Sequence, residues 1–161
     1  MSHALRLALL IAIGLPTMAA CQPTGNGVNA SERSPAGLDQ VPLTVKTTGG
    51  KTHRFTVEVA RTDAQQAQGM MNRQSLAPDR GMIFPFEVPR DASFWMKNTL
   101  VPLDIIFVRT DGTIANIEAT TVPLSLDPVL SAGSVGAVLE LAGGRAAELG
   151  ITAGARVEWP R

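Results

Sequence analysis

The sequence predicts an α+β domain made mainly of antiparallel β-strands, curled into a barrel-like or sandwich sheet with two short helices. Two observations carry this. Short apolar runs recur from Val41 to Arg161, punctuated by Gly, Pro and Asp-Gly turn signals, the spacing of a small all-β or β-rich domain. Only two stretches read as helices, and both are short.

Leu43 and Val45, then Phe55, Val57 and Val59, alternate with polar residues around Thr48-Gly49-Gly50-Lys51, which reads as a β-hairpin. Thr62-Asp63 caps a helix through Ala64 to about Asn72, with Gly69 its weak point. Gly81–Phe86 and Ala92–Met96 are short apolar runs either side of a Pro-containing loop. Leu103–Val108 is nearly continuous apolar sequence, so this strand is expected to be buried on both faces. Asp111-Gly112 turns the chain into Thr113–Thr121. A long loop with Pro123 and Pro128 leads to Val135–Leu141, then a short helix over about Gly144–Leu149 stopped by Gly150. Arg156–Trp159 supplies the last of roughly eight strands.

Three segments follow from composition. Residues 1–20 carry an early Arg6, an apolar stretch from Leu7 to Leu15 and small residues before Cys21. They read as a signal peptide, and Met18-Ala19-Ala20-Cys21 resembles the lipobox of bacterial lipoproteins. Cys21 is then the acylated first residue of the mature chain. Each buried methylene contributes about 0.8 kcal/mol, so several acyl chains hold such a protein on its membrane. Gln22, standing where an Asp retains lipoproteins at the inner membrane of enterobacteria, favours the outer one, with the protein facing the periplasm. Residues 21–40, rich in Pro, Gly, Asn and Ser, read as a flexible tether with a reach of roughly 25 Å. Residues 41–161 form one globular domain.

Composition excludes several functions. The chain carries 14 Lys plus Arg against 14 Asp plus Glu, which gives no electrostatic case for binding nucleic acid. His3 leaves with the leader and Cys21 is acylated, so His53 alone cannot make a His/Cys zinc site. Met70, Met71, Met82 and Met96 could form a soft thioether site for Cu(I), but their apolar neighbours make core filling the simpler reading. His53, alternating with apolar residues, reads as solvent-facing. The sequence shows no nucleophile elbow and no phosphate-cradling Gly-rich loop. No metal or cofactor is expected.

Candidate chemistry concentrates in two places. Asp104, inside Pro102-Leu103-Asp104-Ile105-Ile106-Phe107, must be desolvated and therefore needs donors or a proton. It reads as a general acid, general base or ligand anchor, or as a structural group paired with Lys97 or Arg73 or bonded by loop amides. Glu140 repeats the pattern in Val138-Leu139-Glu140-Leu141, although alternation could turn it to solvent. Together the two carboxylates could make a glycosidase-like acid/base pair. Phe94-Trp95-Met96-Lys97-Asn98-Thr99 offers an aromatic platform with orienting polar groups for a glycan or peptide, with Asn98 alternatively shaping a turn.

Five separated motifs resemble the bacterial and archaeal family known as domain of unknown function 192. They are Gly69-Met70-Met71-Asn72-Arg73, Gly81-Met82-Ile83-Phe84, the Phe94–Thr99 and Pro102–Phe107 segments, and Val138–Leu141. Their order and spacing match from about Val57 to Val157. Two departures stand out: Gly-Met-Met where the family commonly has Gly-Leu-Met, and Gly154-Ala155 where it commonly has Gly-Asp, which removes a turn carboxylate. The resemblance implies a small β-dominated fold, often exported, with no established enzyme activity. The leading expectation is a non-catalytic envelope module binding a small ligand at Arg73, Trp95, Lys97, Asn98, Asp104 and Glu140. The alternatives are a hydrolase of envelope glycan or peptide using Asp104 and Glu140, and a protein-interaction module.

Overall fold

The computed structural model describes residues 33–160; the leader, Cys21 and most of the expected tether lie outside the described residues. The hairpin forms as expected, with β1 (Gln40–Lys46) antiparallel to β2 (Thr52–Val59). The domain reaches back further than Val41. Leu38 is buried, and its amide donates to the Ser34 Oγ at 3.2 Å while Val59 donates to the Asp39 carbonyl at 2.9 Å. Residues 33–40 are therefore packed against the sheet.

Helix α1 (Asp63–Gln68) starts with a full capping box: Gln65 N–H donates to Thr62 Oγ1 at 3.2 Å, and Thr62 N–H donates to Gln65 Oε1 at 3.0 Å. It stops four residues before the expected Asn72. Gly69, at φ +45°, breaks the helix in a backbone conformation that residues with a side chain rarely adopt. Then follow β3 (Arg80–Arg90), the two-residue β4 (Ser93–Phe94), β5 (Leu103–Val108) and β6 (Ile114–Glu118). The chain ends with β7 (Val129–Leu130), β8 (Val135–Ala142), α2 (Arg145–Leu149) and β9 (Arg156–Glu158). Strand β7 lies in the expected loop and pairs only with β4.

Seven strands form one sheet in the order β6-β5-β8-β3-β2-β1-β9. Every pairing is antiparallel except β2 with β3, which the crossover carrying α1 joins in parallel. The sheet curls into a half-barrel. Ile114 N–H donates to the Ala155 carbonyl and Val157 N–H to the Gly112 carbonyl, both at 2.8 Å, drawing the β6 and β9 ends together.

The two faces of the sheet bury separate clusters. Val45, Phe55, Val57, Ile83, Ile106, Leu139 and Leu141 fill the inside of the curl. Met82, Phe84, Leu103, Ile105, Phe107 and Val138 back the outside, covered by Met70, Ala92 and Met96 from connecting segments. Strand β5 supplies both faces and every one of its residues is buried, as its unbroken apolar run predicts. His53 departs from expectation: paired with Val45 near the end of β2, it is half-buried and its Nε2 is buried without a partner.

Candidate functional site

Register decides what the two carboxylates can do together. Asp104 lies opposite Leu141, whereas Glu140 lies opposite Ile105 on one side and Met82 on the other. Leu141 belongs to the inner cluster, and Ile105 and Met82 to the outer. Side chains alternate along a strand, so Asp104 points into the curl and Glu140 away from it. The acid/base pair is not made.

Asp104 is wholly buried and bonded by backbone amides. Its Oδ1 accepts from Thr120 and Gly144, each at 2.8 Å, and its Oδ2 from Ala146 at 2.6 Å. It caps α2 from a neighbouring strand, satisfying amides that a five-residue helix starting after a glycine could not satisfy itself. Neither Lys97 nor Arg73 is its partner. The Asp104 carboxylate is structural and leaves the list of ligand candidates.

Arg73 instead forms a two-bond fork with Glu58, Nη1 to Oε1 at 2.7 Å and Nη2 to Oε2 at 2.6 Å. The Glu58 bonds hold the guanidinium above its ordinary pKa. Sequence reasoning missed Glu58, because Val57-Glu58-Val59 reads as an alternating strand with the acid outward. Burial comes from the parallel neighbour β3, a pairing that local sequence does not announce.

Glu140 sits one strand beyond Met82, in the same cross-sheet row as Glu58. It is 5% exposed, and its Oε2 is buried with no hydrogen-bond partner. Burial pushes its carboxyl up to about 8, against a weaker downward pull from the Arg73 charge. At pH 7 it is a neutral acid with one O–H to donate.

Above Glu140 opens a cavity of about 340 Å³. One wall is the Gly69-Met70-Met71 turn that ends α1; the other is the Phe94–Thr99 segment with Trp95 and Lys97. Phe94 packs edge-on against Phe84 at 5.2 Å and Phe107 at 6.3 Å between ring centres, which fixes the apolar floor. Trp95 is half exposed and carries the Lys97 ammonium 5.1 Å from its ring centre. Arg90 reaches the same cavity, its guanidinium 4.0 Å above Phe86 and bonded to Gln66 Oε1 at 3.4 Å. Asn98 stands at φ +54° and joins the two walls: Asn72 N–H donates to its carbonyl at 2.8 Å. It shapes the turn, as one expectation had it.

Of the six residues expected at one site, Trp95, Lys97 and Glu140 line this cavity and Asn98 braces it. Arg73 lines a neighbouring groove of about 560 Å³ with Glu58 and Met71, where both charges are already paired. Among the described residues no group of His, Cys, Asp and Glu converges on a metal site, and no helix is long and apolar enough to cross a membrane. Thr121, whose single hydroxyl hydrogen lies within reach of the Leu103 carbonyl at 3.0 Å and of Met96 Sδ at 3.1 Å, carries no sequence signal of its role in holding the second wall.

Comparison with known proteins agrees with this fold. A protein of unknown function from Novosphingobium aromaticivorans, known as a crystal structure, is similar at 49% identity and a TM-score of 0.78, over 82% of this chain and 94% of that one. A candidate transcription regulator from Sinorhizobium meliloti is similar at 41% identity and 0.74, over 76% and 95%. No curated protein matches the chain. The family model for DUF192, described as an uncharacterised ACR family, matches residues 44–159. The chain belongs to the DUF192 family.

Proposed function

We propose that this protein is a non-catalytic ligand-binding module of the cell envelope, held by a lipid on Cys21 and facing the periplasm at the outer membrane. The observation that carries the binding role is Glu140, a buried acid with an unpartnered oxygen at the bottom of an open cavity walled by Trp95 and Lys97. A fold leaves a buried polar atom unbonded at a cost of roughly 1 to 3 kcal/mol, and a ligand acceptor would offset that cost. The leader and the residues around Cys21 support the location. The regulator description of the Sinorhizobium relative is not carried over, because a balanced charge gives no electrostatic attraction to DNA.

Two experiments test this reading. A crystallographic screen of small fragments of mixed charge, with Trp fluorescence titrations of envelope glycans and peptides, should place ligands between Trp95 and Glu140. A cavity that no compound of any charge enters would refute the binding role. Metabolic labelling with a radioactive fatty acid should mark the chain and fail to mark Cys21→Ser; an unlabelled wild type would remove the anchor.

A further inference from the structure

The chemistry of the cavity narrows its ligand, an inference that rests on the binding role proposed above. With Glu140 neutral, the charged side chains lining the cavity among the described residues are Lys97 and Arg90, both at the mouth and both positive. Behind them apolar surface from Met70, Phe84, Phe94 and the exposed ring of Trp95 alternates with the polar side chains of Gln66, Gln68, Ser93 and Thr99. Glu140 lines the same cavity from its buried side, and its Oε2 has no hydrogen-bond partner. Reading inward, the order is cation, a wall of mixed apolar and polar side chains, then the buried acid.

We infer that the cavity takes a small N-acylated amino acid with an apolar side chain. Its carboxylate meets Lys97 and Arg90 at the mouth, its side chain lies against Trp95 and Met70, and its amide carbonyl accepts from Glu140. A simple amine fits poorly. It would meet two cations at the entrance and no free anion within, since Glu58 already holds Arg73 in a two-bond fork. A plain hydrocarbon acid satisfies the mouth but leaves the Glu140 donor unmet. The volume, about 340 Å³, corresponds to about eleven water-sized groups, enough for one such residue and too little for an oligosaccharide.

The test is calorimetry on the full chain with N-acetyl-leucine, N-acetyl-leucinamide, octanoate and octylamine, and with acetyl-Ala-Ala-Leu, whose chain continues past the carbonyl into the floor. N-acetyl-leucine should bind more tightly than the other four, and Lys97→Met should weaken that binding about fivefold, the scale of an exposed charge contact. Because the ligand carbonyl needs the Glu140 proton, affinity should fall about tenfold between pH 7 and pH 9. Glu140→Gln, whose side-chain amide still donates, should bind with no such fall. Octylamine or the amide binding as tightly as the acid would overturn the inference, as would equal pH dependence in wild type and Glu140→Gln. If none of the five probes binds while fragments do enter the cavity, the ligand class is wrong and the binding role stands; an empty fragment screen removes both.

Discussion

Replacing Glu140 with Gln should stabilise the protein, and by an amount that grows as pH rises. Burial pushes the folded-state carboxyl up to about 8 from its ordinary 4.5, so between those values the folded chain holds a proton that the unfolded chain has released. Stability therefore falls as pH rises through this window, is fully present below about 4.5, and levels off above about 8. The full span amounts to about 5 kcal/mol, of which between about 3 and 4 kcal/mol falls between pH 5 and pH 8. Glutamine keeps the shape and a donor but does not titrate. Urea unfolding followed by Trp fluorescence at pH 5, 6, 7 and 8, run in parallel on wild type and Glu140→Gln, isolates this one group from every other titration. With urea m-values of about 2 kcal/mol per molar for small domains, the midpoint difference between the two proteins should widen by about 1.5 to 2 M across the series. A difference that stays constant from pH 5 to pH 8 would show that Glu140 is already ionised in the folded protein, and the neutral-donor account of the cavity would fall with it.

Asp104→Asn should cost about 2 to 4 kcal/mol in the same urea assay, because the amide can accept through only one oxygen and turns its NH₂ toward a backbone donor; a loss under 1 kcal/mol would contradict the three-amide clamp. Gly81→Ala should be more damaging than any exposed glycine change, since a methyl there meets the Glu140 carbonyl oxygen and lies 2.8 Å from Leu141 Cδ2. Expression as soluble folded protein is the readout, and near-wild-type stability would disprove the close approach. Arg73→Met should destabilise by about 3 to 5 kcal/mol by stranding the Glu58 carboxylate, with Glu58→Leu added in the same chain recovering most of the loss. It should also move the Glu140 titration to higher pH, visible by carboxyl carbon NMR, because the Arg73 charge is what pulls it down. Lys97→Met, at an exposed position, should change stability by less than about 0.5 kcal/mol.

The strands were legible wherever burial is set by a strand's own period. The hairpin at Gly49-Gly50, the fully buried Leu103–Val108 and the cap at Thr62 follow from local pattern, and the β-rich fold class follows from their sum. What local pattern does not carry is which face a buried polar group enters. Asp104 and Glu140 look alike in sequence, each an acid among aliphatics, yet the register of β5 against β8 sends them to opposite sides of the sheet. Trp95, Lys97 and Glu140 were found because their residue types are unusual in such settings. Glu58 was not, because its burial depends on a parallel strand that returns some twenty residues later. The amide donors to Asp104 come from residues up to 42 positions away, and no spacing rule reaches them.

The crossover between β2 and β3 has a consequence for how such a domain can diversify. Forming the sheet's one parallel pairing among the described strands requires the chain to travel over the outer face, and that obligatory path supplies the Gly69–Met71 wall of the cavity. The opposing wall is likewise a connection, from β4 toward β5, whereas the sheet beneath contributes Phe84 of β3 and Glu140 of β8. Selectivity and architecture are thus borne by different parts of the chain. Insertions or exchanges in residues 60–79 or 90–99 would reshape what the cavity admits while the strand register and the buried acid beneath it stay fixed.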